Sequence, residues 1–139
     1  MIDAEISLKS LLFVTESLEK LIGTNGSKAV LRAAGQRAAV NLIEMLPLNL
    51  SEAEAIESVG PVLVDLGFIG NLETLSPDRL RVTENRVVEE LNSLGLQGVL
   101  SSRYYVIGLF EGFFKQLSGS SRKVVIVEIE PEGELWILG

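Results

Sequence analysis

The 139-residue chain contains neither cysteine nor histidine. The first absence excludes disulfides, thiolate metal sites and cysteine nucleophiles. The second removes the commonest general base, the commonest metal ligand and the usual axial ligand of haem. Carboxylates, Lys, Tyr, Ser and Thr remain, a thin kit for catalysis near neutral pH. No Ser-His-Asp triad can be assembled, and no serine stands in a G-x-S-x-G context. The expectation is a protein that is not an enzyme and carries no cofactor. Basic residues are scarce as well: twelve Lys and Arg stand against nineteen Asp and Glu, a net charge of −7. They are scattered along the sequence, which speaks against nucleic acid and anionic membrane surfaces, since both require a basic patch. Long apolar runs are missing. The stretch 104–110 is far shorter than the ~20 residues that span a bilayer, so no membrane insertion is expected. Asp3 and Glu5 stand where a secretory signal would be basic, and a cytoplasmic location is the default expectation.

What is present suffices for one core. With 47% hydrophobic and 22% charged residues, residues 1–139 fit a single domain of the usual ~100–200 residues. Leu8, Leu11, Leu12, Leu18, Leu21 and Ile22 recur at helical spacing up to a turn cluster, Gly23-Thr24-Asn25-Gly26. That cluster lacks the G-x-x-x-x-G-K spacing of a phosphate loop. A second helix is expected over residues 27–46, with Leu31, Ala34, Ala38, Leu42 and Met45 on its apolar face and Pro47 at its end. Ser51 with Glu54 forms a capping box that opens a third helix, which Gly60-Pro61 should bend or restart before Gly67. Residues 68–75 and 79–83 read as strands joined by Ser76-Pro77-Asp78. A short helix over 87–94 ends at Gly95 and Gly98, and a last helix starts at Ser101 or Ser102 and runs to Gly119.

Residues 124–130 and 134–138 alternate about Pro131-Glu132-Gly133 as a β-hairpin. A three-residue loop would oppose Ile129 to Leu135 and Val127 to Ile137, setting Val125, Val127, Ile129, Leu135 and Ile137 against the helices. Glu128 would then oppose Trp136, and Glu130 would oppose Glu134. The fold class is α/β of the α+β type: an antiparallel sheet of about four strands, ending in this hairpin, packed against several helices.

Two small-residue stripes stand out: Ala34, Gly35, Ala38 and Ala39 in the second helix, Gly108 and Gly112 in the last. Glycine within a helix costs about 1 kcal/mol relative to alanine. Tight internal packing, a dimer contact or a cavity wall would each account for it. Five of the eight aromatic residues lie between 104 and 114. Tyr104, Tyr105, Phe110 and Phe114, with Trp136 from the hairpin, are the candidate walls of an apolar pocket, with plain core or a subunit interface as the alternatives. The acidic cluster Glu128, Glu130, Glu132 and Glu134 reads as a solvated turn, because no calcium-loop pattern accompanies it.

At the last helix the chain resembles a known family. Tyr105-Val106-Ile107-Gly108-Leu109-Phe110-Glu111-Gly112-Phe113, then Leu117-Ser118-Gly119, then Val124-Val125-Ile126-Val127-Glu128 is similar to the C-terminal signature of the 4-vinyl-reductase or hydrocarbon-binding domain family. Arg32-Ala33-Ala34-Gly35-Gln36-Arg37-Ala38-Ala39 is similar to its small-residue helix near the N-terminus. The resemblance extends over the single domain 1–139, and its specific part is residues 105–138. It implies an antiparallel sheet against helices, a homodimer, and a fold related to core subunits of the transport protein particle. Many members hold zinc through three cysteines and a glutamate. Here only the glutamate persists, as Glu128, while Tyr105 and Pro131 stand at two of the cysteine positions, so no metal is expected. The functional expectation is a non-enzymatic module binding a small apolar molecule beside the last helix. A dimeric interaction or assembly factor with a filled interior is the alternative, and an accessory protein of tetrapyrrole metabolism the third.

Overall fold

A computed structural model describes residues 4–41, 49–96, 101–131 and 133–139, with side chains from residue 9 onward. The expected helix end at residues 42–47, Gly98 and Glu132 lie outside the described residues. The chain opens with α1, Ala4–Asn41. One residue interrupts it: Gly23, at φ 82° and ψ 167°, a region open essentially to glycine alone. The four-residue turn expected from Gly23-Thr24-Asn25-Gly26 thus shrinks to a kink, because Thr24, Asn25 and Gly26 all remain helical.

Helix α2, Glu52–Asp65, starts as the sequence dictates: the Ser51 hydroxyl accepts from the Glu54 N–H, and the Glu54 carboxylate accepts from the Ser51 N–H. It does not restart at Gly60-Pro61. Pro61 sits on the exposed side, as does Glu57, so the carbonyl that proline leaves unpaired can be solvated and the helix continues.

The remaining elements are β1 (Asn71–Ser76), β2 (Arg79–Thr83), α3 (Arg86–Ser93), α4 (Arg103–Ser118), β3 (Val124–Glu130) and β4 (Gly133–Leu138). The four strands form one antiparallel sheet in the order β1-β2-β4-β3. Strand β1 begins later than expected. Phe68-Ile69-Gly70 is instead a loop held by the Gly70 N–H on Thr83 and by the Arg86 N–H on the Phe68 carbonyl.

Helix α4 is the centre of the molecule. Every residue from 106 to 114 is buried. One side meets α1, and the others meet α2 and the sheet through Phe110, Phe113, Phe114, Ile56, Leu63, Leu80, Val82 and Trp136. A helix apolar on nearly every face needs cover on every face.

The hairpin is present, but its register differs from the expected one. Glu130 pairs with Gly133, leaving Pro131-Glu132 as a two-residue connection; Val127 opposes Trp136, and Ile129 opposes Glu134. Glu134, Trp136 and Leu138 therefore face the helices, while Leu135 and Ile137 are half-buried on the outer side. Val125, expected inside, falls in a β-bulge and is 59% exposed. Trp136 explains the choice. Both faces of β4 are apolar, but the indole is the largest side chain to remove from water, and its N–H finds an acceptor two residues back, at Glu134 Oε2, 3.0 Å away.

Candidate functional site

The residues assigned to an apolar pocket divide between core and surface. Phe110, Phe114 and Trp136 are fully buried and pack on one another, with ring centroids 5.9 Å apart for the phenylalanines and 5.7 Å for Phe110 and Trp136. They fill space that the expected pocket would have needed. Tyr104 is half-buried beneath two cations, Lys28 Nζ at 5.2 Å and the Arg32 guanidinium at 5.9 Å. Tyr105 leans on Phe68 at 5.9 Å, and burial holds its hydroxyl above its ordinary pKa.

The glycines lie in the crossing of α1 over α4. A Cβ on Gly35 would stand 2.2 Å from the Tyr105 carbonyl oxygen, and one on Gly108 would stand 2.2 Å from that of Arg32. At Gly112 a Cβ would come 2.6 Å from the Cβ of Ala39. Backbone touches backbone here, so the close approach of the two helices accounts for these three glycines without a partner or a ligand. Ala38 is half-buried beside them; Ala34 turns to solvent.

Around the crossing sits a polar clamp that the sequence reading did not single out. Glu111, in the middle of α4, is 3% exposed in its side chain. Its carboxylate accepts from Arg32 Nε at 2.8 Å, Arg32 Nη2 at 2.6 Å, Gln36 Nε2 at 2.9 Å and the Val124 N–H at 3.0 Å. Arg32 also donates to the Val124 carbonyl at 2.6 Å. Bonding to Glu111 holds the guanidinium above its ordinary pKa against the opposing effect of burial. The first residue of β3, an edge strand, is thus covered on its open side by α1 and α4 together.

A second buried carboxylate, Glu134, is 2% exposed. It accepts from Trp136 and from Asn85 Nδ2 at 3.2 Å, and Arg103 Nε lies 3.1 Å away. Asn85 also caps α3 through the Val87 N–H. Asn85, Arg103 and Glu134 line a cleft of about 250 Å³ beside Val88, Ile129 and Glu130. The acidic cluster of the hairpin does not assemble: Glu134 points inward, Glu130 lies 3.7 Å from Arg81, and Glu128 is exposed. Among the described residues, no three Asp or Glu side chains gather where a metal ion could be held. Nor is any helix among them long and apolar enough to cross a membrane.

The largest departure from expectation lies on the first half of α1. Leu12 and Thr15 face the core, and Glu19 reaches over to accept from the Ser101 N–H (3.1 Å) and hydroxyl at the start of α4. The opposite side is apolar too. Phe13 is 51% exposed, Val14 59% and Leu21 81%; with Ser10, Ser17 and Leu18 they line a shallow surface groove. Leu21 and Ile22, expected on the core stripe, are 81% and 49% exposed instead. No protein-family model matches the chain, and no curated protein matches it.

Proposed function

We propose that this chain is a non-enzymatic interaction module whose first helix docks on the same helix of a second copy. The observation that carries the reading is the uncharged groove of Ser10, Phe13, Val14, Ser17, Leu18 and Leu21 on a chain of net charge −7. Adjoining apolar side chains this exposed mark contact surfaces more often than they decorate a monomer. The groove is also self-complementary. With two copies antiparallel about a two-fold axis, Leu21 falls over Ser10, Val14 over Ser17, and Phe13 against Leu18, so Leu21 and Val14 each meet a serine and the one aromatic meets a leucine. An isologous contact requires one patch to fit itself in this way.

Two further features support a binding rather than a catalytic role. Among the described residues, Glu111 and Glu134 are deeply buried carboxylates of the core; Arg32 and Gln36 donate to the first, and Asn85 and Trp136 donate to the second, with the Arg103 charge 3.1 Å from it. The aromatics that would have walled an apolar ligand pack against each other, which favours the filled-interior reading. A homodimer is also what the resemblance to the 4-vinyl-reductase family implies.

The absence of native cysteine makes a direct test available. Ser17→Cys places a thiol near the proposed two-fold axis, and Ser93→Cys places one at the exposed end of α3. Under mild oxidation the first variant is expected to form disulfide-linked dimers much faster than the second. Equal rates for the two would contradict docking through this face.

A further inference from the structure

Four of the twelve basic residues of this acidic chain converge on one depression. It lies between the second half of α1, the last turns of α4 and the segment leading into β3, and has a volume of about 430 Å³. Arg37 comes from α1, Lys115 from α4, and Arg122 and Lys123 from the connection to β3. They are scattered in sequence, and only the crossing of α1 over α4 brings them together. Arg122 is partly neutralised by Glu52, 2.9 Å away. Arg37, Lys115 and Lys123 have no carboxylate partner among the described residues, whereas most other basic side chains of the protein do. The carboxylate within the lining is Glu111, and Arg32, Gln36 and the Val124 N–H already occupy it. Uncompensated positive charge in a recess, on a molecule negative elsewhere, focuses the field on that recess.

We infer that this depression is a binding site for a small polyanion, a compound bearing a diphosphate or a comparable cluster of phosphate charges. Three cations with no carboxylate partner among the described residues, around one recess, match a multiply charged guest better than a single carboxylate, and Asn41 and Ser121 add polar groups to the lining. Walls from α1, α4 and the segment before β3 make a recess that favours a soluble molecule over a flat membrane surface. This site is separate from the apolar groove on the first half of α1, and the inference does not rest on self-association.

Inorganic pyrophosphate is the probe. Titrated into the uniformly labelled protein at low ionic strength, it is expected to shift the backbone amide resonances of Gly112, Ser121 and Lys123 saturably, and acetate is expected to be far weaker. Lys115→Gln combined with Lys123→Gln changes two exposed side chains and is expected to weaken pyrophosphate binding at least tenfold. Arg79→Gln, at an exposed arginine of the sheet, is expected to leave it unchanged. Absence of saturable shifts, or equal effects of the double variant and Arg79→Gln, would overturn the inference. So would capture by phosphatidylcholine vesicles containing phosphatidic acid without any response to soluble pyrophosphate, since that would place the phosphate on a lipid surface.

Discussion

Replacing Glu111 by Ala removes the acceptor for three side-chain N–H groups and for the Val124 N–H. The Arg32 charge and the start of β3 are then left without their partner. Breaking one side of a largely buried pair of this kind costs about 3–5 kcal/mol, a large share of the ~5–15 kcal/mol that holds a domain together. Urea denaturation of Glu111→Ala is expected to show that loss, with Glu111→Gln in between because one acceptor oxygen survives. A loss below about 1 kcal/mol, the value of an ordinary exposed pair, would contradict the role given to the clamp. The sequence did contain a signal for it. A single carboxylate inside Tyr105-Val106-Ile107-Gly108-Leu109-Phe110-Glu111-Gly112-Phe113 cannot be buried without a counter-charge. Its partner could not be read, because Arg32 lies 79 positions away and six other arginines were available.

At the scale of elements, boundaries were most legible where local chemistry decides them. The capping box at Ser51 and Glu54, the stop at Gly119 in the left-handed region, and the limits of β2 and β3 follow from neighbouring residues alone. Where two apolar faces compete, local pattern cannot choose. In β4 the outcome depended on Trp136 reaching Phe110 across the core. In α1 it depended on which of two apolar sides α4 covers, so Phe13 and Val14 could not be recognised as surface. The Gly23–Gly26 segment is a sharper case, because two glycines of similar appearance have different roles. Gly23 holds a conformation that disfavours any side chain, and Gly23→Ala is expected to destabilise by about 1–3 kcal/mol. Gly26 is helical, and an added Cβ would meet Cδ1 and Cγ1 of Ile22 at 3.3 Å, a side chain 49% exposed and free to give by a few tenths of an ångström. Gly26→Ala is therefore expected to stabilise by about 0.5–1 kcal/mol. Thermal melting of the two variants checks both signs; if Gly26→Ala is the more damaging, the kink lies elsewhere.

For the whole molecule, one dense interior leaves two unlike surfaces on α1. The first half carries the uncharged apolar groove, and the second half contributes Arg37 to a cationic recess. A net charge of −7 makes two copies repel each other overall, so self-association through the uncharged patch should strengthen modestly with salt as repulsion is screened. A stable contact buries about 800 Å² on each partner, and a Lys within it, present twice by symmetry, should abolish it, since two unpaired ammonium groups would have to leave water. The most direct measurement is the solution molar mass by light scattering at high micromolar concentration, for the wild type and for Leu21→Lys, a change at a side chain already 81% exposed. The wild type is expected at twice the 15.1 kDa chain mass, and Leu21→Lys at the chain mass with its fold intact by circular dichroism. A wild type that stays at the chain mass, or a Leu21→Lys variant that remains a dimer, would contradict self-association through α1.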